Sequence, residues 1–443
     1  MHQEGPLMDQ LTYNFRALLA PFAFCFRPEV FSTFCLMVTA WVVCLGRRTV
    51  SRVWETTGRS ANHNHAAAFR LFSAAAWNWD EVCRILLVKL LAAFVPGTRV
   101  WLVIDDTLCH KRGAKVAFGG IFLDAVLSTK KHKVFRFGTN WVTLGLVIQL
   151  PFRPERFFCL NILWRLYAKK DKANPAAHRT KPQQARDMAE LVASWLPGRQ
   201  LIVVGDSAYV GKHLLKGLPE DLAALGPIHW KAVLTQPLPA TTDRRRKKGA
   251  ELTTPRQAMD DARWAWEELL LQHPKGEKPL WIKVVKPCCW YASAGAATLQ
   301  VVLLRDPEGK WRDEALLSTD LSLTAAEVVL GYLRRWSVEV AYAEAKQLLG
   351  FHEPMVWCAA SVERAHPLAW FVGSLVVLWY AQFGHHEPAA QRHRPWYRHK
   401  VQPTFADMLA CCRLHLWSHW LSSEPGREQE KCAWLLEYVA TAP

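Results

Sequence analysis

The sequence predicts an α/β fold with a β-rich segment inside it and α-helical regions at both ends. Short apolar runs rich in Val, Ile and Leu predict buried strands, two of which end in acids. Stretches with helical periodicity stand between and around these runs. Of the 443 residues, 51% are hydrophobic and 21% are charged, which excludes a disordered chain and allows a large core.

The chain is strongly basic, with 55 Lys and Arg against 39 Asp and Glu, a formal charge of +16. This excess predicts a polyanionic partner, DNA above all, with an anionic membrane surface as the competing interpretation. The longest apolar runs, residues 30–45 and 367–383, are shorter than the roughly 20 residues of a bilayer span. We therefore expect buried helices and no membrane association.

Residues 1–95 are predicted to form a helical N-terminal domain. Short apolar and basic segments at residues 47–54 and 66–75 flank a polar turn. This pattern fits either a helix-turn-helix that binds DNA ends or a helical packing domain. The sequence does not show which helix would contact DNA.

The central region, residues 96–227, alternates predicted strands and helices. Strands are expected at residues 99–106 (RVWLVIDD), 140–149, 157–166 and 200–206 (QLIVVGD), and a helix at residues 182–196. Basic clusters at residues 111–115, 130–133 and 169–181 fit either contacts to DNA phosphates or solvated surface.

Residues 228–320 are predicted to be β-rich, with strands at residues 230–235, 280–285, 290–293 and 298–304. The densest basic run of the chain lies here and fits either a nucleic-acid contact or a solvated loop. It consists of Arg244, Arg245, Arg246, Lys247 and Lys248. Residues 325–350 then predict one long helix, and residues 353–443 a helical C-terminal region.

Four residues of the predicted long helix have the spacing Y-x2-R-x3-E-x6-K. Because a helix turns about 100° per residue, they share an arc of about 60°. A carboxylate between cations suits a site that holds a metal ion and a polyanion, although a solvated face with i,i+4 ion pairs is the alternative. The four residues are Tyr332, Arg335, Glu339 and Lys346.

Two predicted strands end in an acid, at Asp106 and at Asp206. Together with Glu339 they give three carboxylates, which can hold two divalent ions about 4 Å apart for phosphodiester chemistry. Mg²⁺ suits such a set because it binds few carboxylates and substrate phosphate oxygens. Asp105 is the alternative first acid, and Asp106 is preferred because its offset from the strand matches that of Asp206.

The order of two strand acids, a β-rich insertion and a helix with this spacing resembles the DDE transposases of bacterial insertion sequences, in their cut-and-paste branch. The resemblance covers residues 99–352. It implies an RNase H-like catalytic core, interrupted by the β-rich insertion and completed by residues 321–352. It also implies that Asp106, Asp206 and Glu339 bind two Mg²⁺ ions, for which Mn²⁺ can substitute. Tyr332, Arg335 and Lys346 would contact phosphates of the DNA.

The same resemblance implies a transposase that binds inverted-repeat ends as a homodimer, cleaves them and joins the 3′-hydroxyls to target DNA. An exposed Trp of the insertion would stack on a flipped base if a hairpin intermediate forms, with Trp281, Trp290 and Trp311 as candidates. The family acts at the nucleoid of bacteria, and twelve cysteines without a C-x-x-C pair agree with a reduced cytoplasm. A nuclease without strand transfer and a domesticated, non-catalytic DNA-binding protein are the alternatives.

Overall fold

The computed structural model describes residues 7–57, 65–170, 178–239, 247–273, 276–386 and 402–422. A mixed β-sheet lies at its centre, and helices from both ends of the chain pack together beside it. One continuous hydrophobic core joins the helices and the sheet.

Within the described residues, five α-helices and one 3-10 helix (Ala20–Cys25) precede the sheet. Asn78 caps the fifth by accepting a hydrogen bond from the backbone N–H of Glu81, which satisfies a donor that the first turn leaves free. The helices are α1 (Leu7–Leu19), α2 (Pro28–Val43), α3 (Val50–Thr56), α4 (Ala66–Ser73) and α5 (Trp79–Phe94).

In its described residues, the central region contains six strands and two helices. Helix α6 begins at a capping box in which Thr180 and Gln183 each accept the other's backbone N–H. The elements are β1 (Arg99–His110), β2 (Gly120–Leu123), β3 (Phe135–Leu150), β4 (Arg153–Tyr167), α6 (Lys181–Trp195), β5 (Gln200–Val204), α7 (Lys212–Leu215) and β6 (Leu222–Pro227).

The order β4-β3-β1-β5-β6 places β1 in the middle of this part of the sheet. Strands β1, β3 and β4 pair antiparallel, whereas β5 and β6 run parallel to β1. Strand β3 is 16 residues long, so β2 and β4 both pair with the same edge of it at different ends. This arrangement is that of an RNase H-like core and confirms the predicted fold class.

The β-rich segment extends the central sheet, because its last strand pairs with β6. The predicted strand at residues 290–293 is wrong, because a short helix begins there after Trp290. Of the strand predicted at residues 230–235, only the last two residues form a strand. The elements are β7 (Leu234–Thr235), β8 (Glu251–Thr253), α8 (Pro255–Ala258), β9 (Glu267–His273), β10 (Gly276–Cys289), α9 (Tyr291–Ala294), β11 (Thr298–Arg305) and β12 (Glu314–Ser318).

The single long helix predicted at residues 325–350 is wrong, because two helices meet at Arg334 and Arg335. There the backbone N–H of Arg335 bonds to the Tyr332 carbonyl, a three-residue step that interrupts the α-helical pattern. The remaining helices are α10 (Ala325–Leu333), α11 (Trp336–Leu348), α12 (Ala359–Ala365), α13 (Leu368–Gln382) and α14 (Phe405–Ser422).

Both apolar runs of the sequence form buried helices, α2 and α13, as expected. Contacts between distant parts of the chain hold them, such as the hydrogen bond from Trp41 Nε1 to the Leu349 carbonyl (2.9 Å). Within the described residues, no helix has both the length and the apolar character that crossing a bilayer requires. Helices α3 and α4 bury their apolar faces, and the predicted turn between them includes residues 58–64, which lie outside the described residues.

Candidate active site

Strand β1 carries both candidate first acids in its middle, because it continues past them to His110. The expectation that a strand ends at Asp106 is therefore wrong. Successive side chains of a strand point to opposite faces of the sheet, so Asp105 and Asp106 have different surroundings. The two neighbouring carboxylates belong to different clusters.

Asp105 lies in a cluster organised by Arg335. The guanidinium donates from Nη1 to Asp105 Oδ2 (3.1 Å) and from Nη2 to Glu339 Oε1 (3.0 Å). These charge-assisted bonds join an acid of the central strand to an acid on α11. The cluster is partly shielded, since the side chains of Asp105 and Arg335 are only 17% and 19% exposed.

Asp206 is level with Asp105 in the sheet. Strands β1 and β5 run parallel with Val103 paired to Val204, and each acid follows its Val by two residues. Strand β5 ends at Val204, and the Asp206 carboxylate then accepts the backbone N–H of Ala208 (2.8 Å) in the turn that follows. Asp106 was preferred from the sequence because its offset from the strand matched that of Asp206. In the structure it is Asp105 that has the matching offset.

Charge and burial make this cluster electrostatically coupled. Burial raises the pKa of Asp105 to about 7, the Asp106 backbone N–H and Arg335 oppose the rise, and the charges of Asp106 and Asp206 add to it. Burial lowers the pKa of Arg335, but Asp105, Glu339 and Asp206 more than offset this. The guanidinium thus compensates several carboxylates that repel one another.

Asp106 is held in a second cluster by two short hydrogen bonds. Its Oδ2 accepts from Lys181 Nζ (2.6 Å) and its Oδ1 accepts from the hydroxyl of Tyr209 (2.6 Å). Lys181 begins α6, and Tyr209 is a buried residue of the turn after Asp206. Asp106 therefore ties α6 and that turn to the central strand, a function that the sequence gave no means to recognise.

The four residues of the sequence signature do not all converge on the acids. The Arg335 guanidinium lies 6.0 Å from the centre of the Tyr332 ring and donates a hydrogen bond to Glu339. Lys346 lies farther along α11, where burial lowers its pKa and the nearby Cys109 and Asp124 raise it. Lys346 follows Glu339 by seven residues of the same helix, roughly 10 Å along its axis, and so lies outside the carboxylate cluster.

Three carboxylates from Asp105, Asp206 and Glu339 offer the hard oxygen ligands that Mg²⁺ prefers. In the described part of the chain, no group of three or more His, Cys, Asp or Glu side chains is close enough to hold a metal ion. The Arg335 guanidinium lies between Asp105 and Glu339 and supplies the positive charge that a bound metal ion would supply there. The donor chemistry therefore fits a divalent ion, and Arg335 must share or leave these carboxylates when one binds.

Of the basic run in the insertion, Arg244, Arg245 and Arg246 lie outside the described residues, and Lys247 and Lys248 are exposed. Among the candidate tryptophans, Trp281 is 43% exposed and Trp311 is 38% exposed, while Trp290 is half-buried. The ammonium of Lys278 covers the Trp311 ring at 4.0 Å from its centre, which leaves Trp281 the more open of the three.

A mixed sheet of this order, with an acid on the central strand and another just after the adjacent strand, is that of an RNase H-like nuclease core. A family model described as DDE superfamily endonuclease matches residues 22–279, more than half of the chain. The chain belongs to this family, whose members are divalent-metal-dependent nucleases that act on DNA. No curated protein matches the chain. The matched residues include Asp105, Asp106 and Asp206 but end before Glu339.

Proposed function

We propose that this protein is a DNA transposase that cleaves the inverted-repeat ends of its insertion sequence and joins the 3′-hydroxyls to target DNA. The observation that carries the proposal is the cluster in which Arg335 links Asp105 to Glu339, with Asp206 level in the next strand. A net charge of +16 supports DNA as the partner. Pairing of two DNA ends is best served by a homodimer.

We assign the metal-binding and catalytic acids to Asp105, Asp206 and Glu339. This replaces Asp106, the first acid preferred from the sequence, because Asp105 is the one that is level with Asp206 and shares the Arg335 guanidinium with Glu339. Asp106 becomes a positioning residue, which fixes the turn that carries Asp206. The Lys181 ammonium and the Tyr209 phenol make its carboxylate a structural acceptor.

The three acids would hold Mg²⁺, or Mn²⁺ in its place, and two such ions activate a water or 3′-hydroxyl and stabilise the leaving oxygen. When Asp105 and Glu339 bind the metal ions, Arg335 would donate hydrogen bonds to a phosphate of the DNA. The planar guanidinium group matches the geometry of phosphate oxygens. Tyr332 would orient that guanidinium through its ring. Lys346 would meet the DNA farther from the cut phosphate.

The test uses a plasmid that carries this gene with its native flanking DNA, incubated with purified protein and Mg²⁺. Wild-type protein is expected to cut at defined flanking positions and, with a target plasmid present, to give joined products. Asp105→Asn, Asp206→Asn and Glu339→Gln proteins should leave the plasmid intact. Glu344→Gln is the matched control, since Glu344 lies on the same helix but pairs with Arg156 instead.

Cutting without joined products would replace the proposal by a nuclease without strand transfer. DNA binding without cutting, in both Mg²⁺ and Mn²⁺, would indicate a domesticated DNA-binding protein. Cutting by the Glu339→Gln protein at the wild-type rate would remove Glu339 from the catalytic set.

A further inference from the structure

A basic cleft of about 660 Å³ lies outside the carboxylate cluster. Its walls come from the segment after β1, from the segment after α11, and from Arg47, which precedes α3. Its volume falls in the range of about 300–1,000 Å³ that accommodates a ligand of nucleotide size, whereas a duplex is too large to enter.

Positive charge predominates in this cleft. Arg47 and Arg112 are exposed, and across the described ranges no carboxylate lies within ion-pair distance of either or of Lys111. Burial lowers the pKa of Lys111, and the nearby charge of Arg47 lowers it further. The acid of the lining, Glu353, accepts the backbone N–H of Arg48 (2.6 Å). The cleft therefore has unneutralised cations that suit an anionic ligand.

The two walls are fastened to each other by hydrogen bonds. Lys111 Nζ donates to the carbonyls of His352 (3.0 Å) and Pro354 (2.9 Å). The backbone N–H of His110 donates to His352 Nδ1 (3.1 Å), and that of Ala117 to the Trp357 carbonyl (2.8 Å). Because hydrogen bonds join its walls, the cleft is preformed, and few side chains or loops must become ordered when a ligand binds.

The rim carries two large apolar side chains that remain open to solvent. Trp357 is 68% exposed and Met355 is 69% exposed. An indole beside exposed cations is the combination that binds unpaired nucleic acid, because bases stack on the ring and phosphates meet the cations. Every base has a π-face, so such a site needs no particular sequence.

The cleft stands at a defined distance from the proposed cutting site. His110 follows Asp105 by five residues of β1, roughly 17 Å of extended chain. Lys346 lies between the two sites. It is partly buried, and it is close to Cys109 near this end of β1.

We propose that this cleft binds an unpaired stretch of DNA a few nucleotides from the cut phosphate. Arg47 and Arg112 bind its phosphates, and Trp357 stacks on one of its bases. The inference rests on the proposed function, because it adds a second DNA subsite to the same substrate.

The test measures fluorescence anisotropy of a labelled short duplex, with and without a single-stranded tail, in buffer without divalent metal. Wild-type protein should bind the tailed duplex more tightly. Trp357→Ala should weaken binding of the tailed duplex by roughly 5- to 150-fold and leave the blunt duplex unchanged. Trp357→Phe should keep most of the tail's effect. Phe24→Ala, an exposed aromatic outside the cleft (93% exposed), is the control.

In the double variant Arg47→Ala, Arg112→Ala, binding of the tailed duplex should depend less on salt. The slope of log K against log salt should become shallower by about 1.4, because each lost contact to a single-strand phosphate removes about 0.7. The charge-matched control is Arg16→Ala, Lys216→Ala, two exposed cations outside the lining. A tail that adds no affinity, or a Trp357→Ala loss that is equal for both duplexes, would overturn this inference alone. No duplex binding by the wild-type protein would overturn the proposed function as well.

Discussion

At the residue scale, two adjacent acids of β1 have separate partners because a strand alternates its side chains. Asp105 shares Arg335 with Glu339, and Asp106 fixes Lys181 and Tyr209. Both acids are half-buried, so burial alone does not tell them apart. Their partners do, and those partners are distant in the sequence.

We predict that Asp105→Asn reduces the single-turnover rate of DNA cleavage by about 10³-fold or more, since several kcal/mol of metal-dependent stabilisation is lost. Asp106→Asn should reduce it by about tenfold or less, because the amide oxygen still accepts one of the two bonds. The measurement is plasmid cleavage at saturating Mg²⁺. Equal losses for the two variants would contradict the assignment.

Glu344 makes stability depend on pH. Burial raises its pKa to about 7, with Arg156 opposing the rise. The folded state therefore holds this proton more tightly than the unfolded chain does. The resulting stability is complete below the ordinary pKa of 4.5 and is lost as pH rises to about 7.

We predict that the free energy of unfolding of wild-type protein, relative to Glu344→Gln, falls by about 1 to 3 kcal/mol between pH 4.5 and 7. Urea unfolding of both proteins at several pH values measures this difference. A difference that stays constant over that interval would show that the carboxyl titrates normally.

At the scale of elements, the junction of α10 and α11 places the residues of the signature. Arg334 at this junction lies between the rings of Trp101 (4.2 Å) and Phe157 (4.8 Å), measured to the ring centres. Gly331 also packs against Trp101, so close that a Cβ there would collide with the indole. These contacts hold α10 on the sheet and thereby position Arg335.

Gly331→Ala is therefore expected to destabilise the protein by about 1 to 3 kcal/mol through overpacking, despite the better helix propensity of Ala. The measurement is the urea midpoint, with Gly97→Ala as the control, since a Cβ at Gly97 meets no atom within 4 Å. An unchanged midpoint would mean that α10 shifts freely on the sheet.

At the scale of the whole molecule, the acids of β1, of the turn after β5 and of α11 come near one another only because the sheet and the helices pack into one core. Metal binding to such a site is coupled to folding, because the unfolded chain does not assemble the three acids. Divalent ions should therefore stabilise the protein, apart from any effect on DNA.

We predict that Mn²⁺ at about 100 times its Kd stabilises wild-type protein by about 2.7 kcal/mol, seen as a higher Tm in calorimetry. The shift should disappear in Asp105→Asn, Asp206→Asn and Glu339→Gln proteins. It should remain in Asp106→Asn and Glu344→Gln proteins. Loss of the shift in Asp106→Asn but not in Asp105→Asn would reinstate Asp106 as the metal ligand.

The sequence by itself determined the α/β class, the strands that carry the acids, the buried apolar helices and the DDE family. These follow from local periodicity and from the order of a few residues along the chain. Burial patterns of this kind are short-range, so a single sequence is enough to show them. The sequence did not show the break between α10 and α11, because the residues that cap it and pack against it, such as Trp101, lie far away in sequence.

Only the tertiary structure set Asp105 level with Asp206, joined Arg335 to two acids, and placed Lys346 and Trp357 beside a basic cleft. The pairing of β1 with β5 sets which acid is level with Asp206, and that register is a property of two strands about 100 residues apart. Charge coupling depends on distance in space, and a sequence specifies such distances only after it has folded.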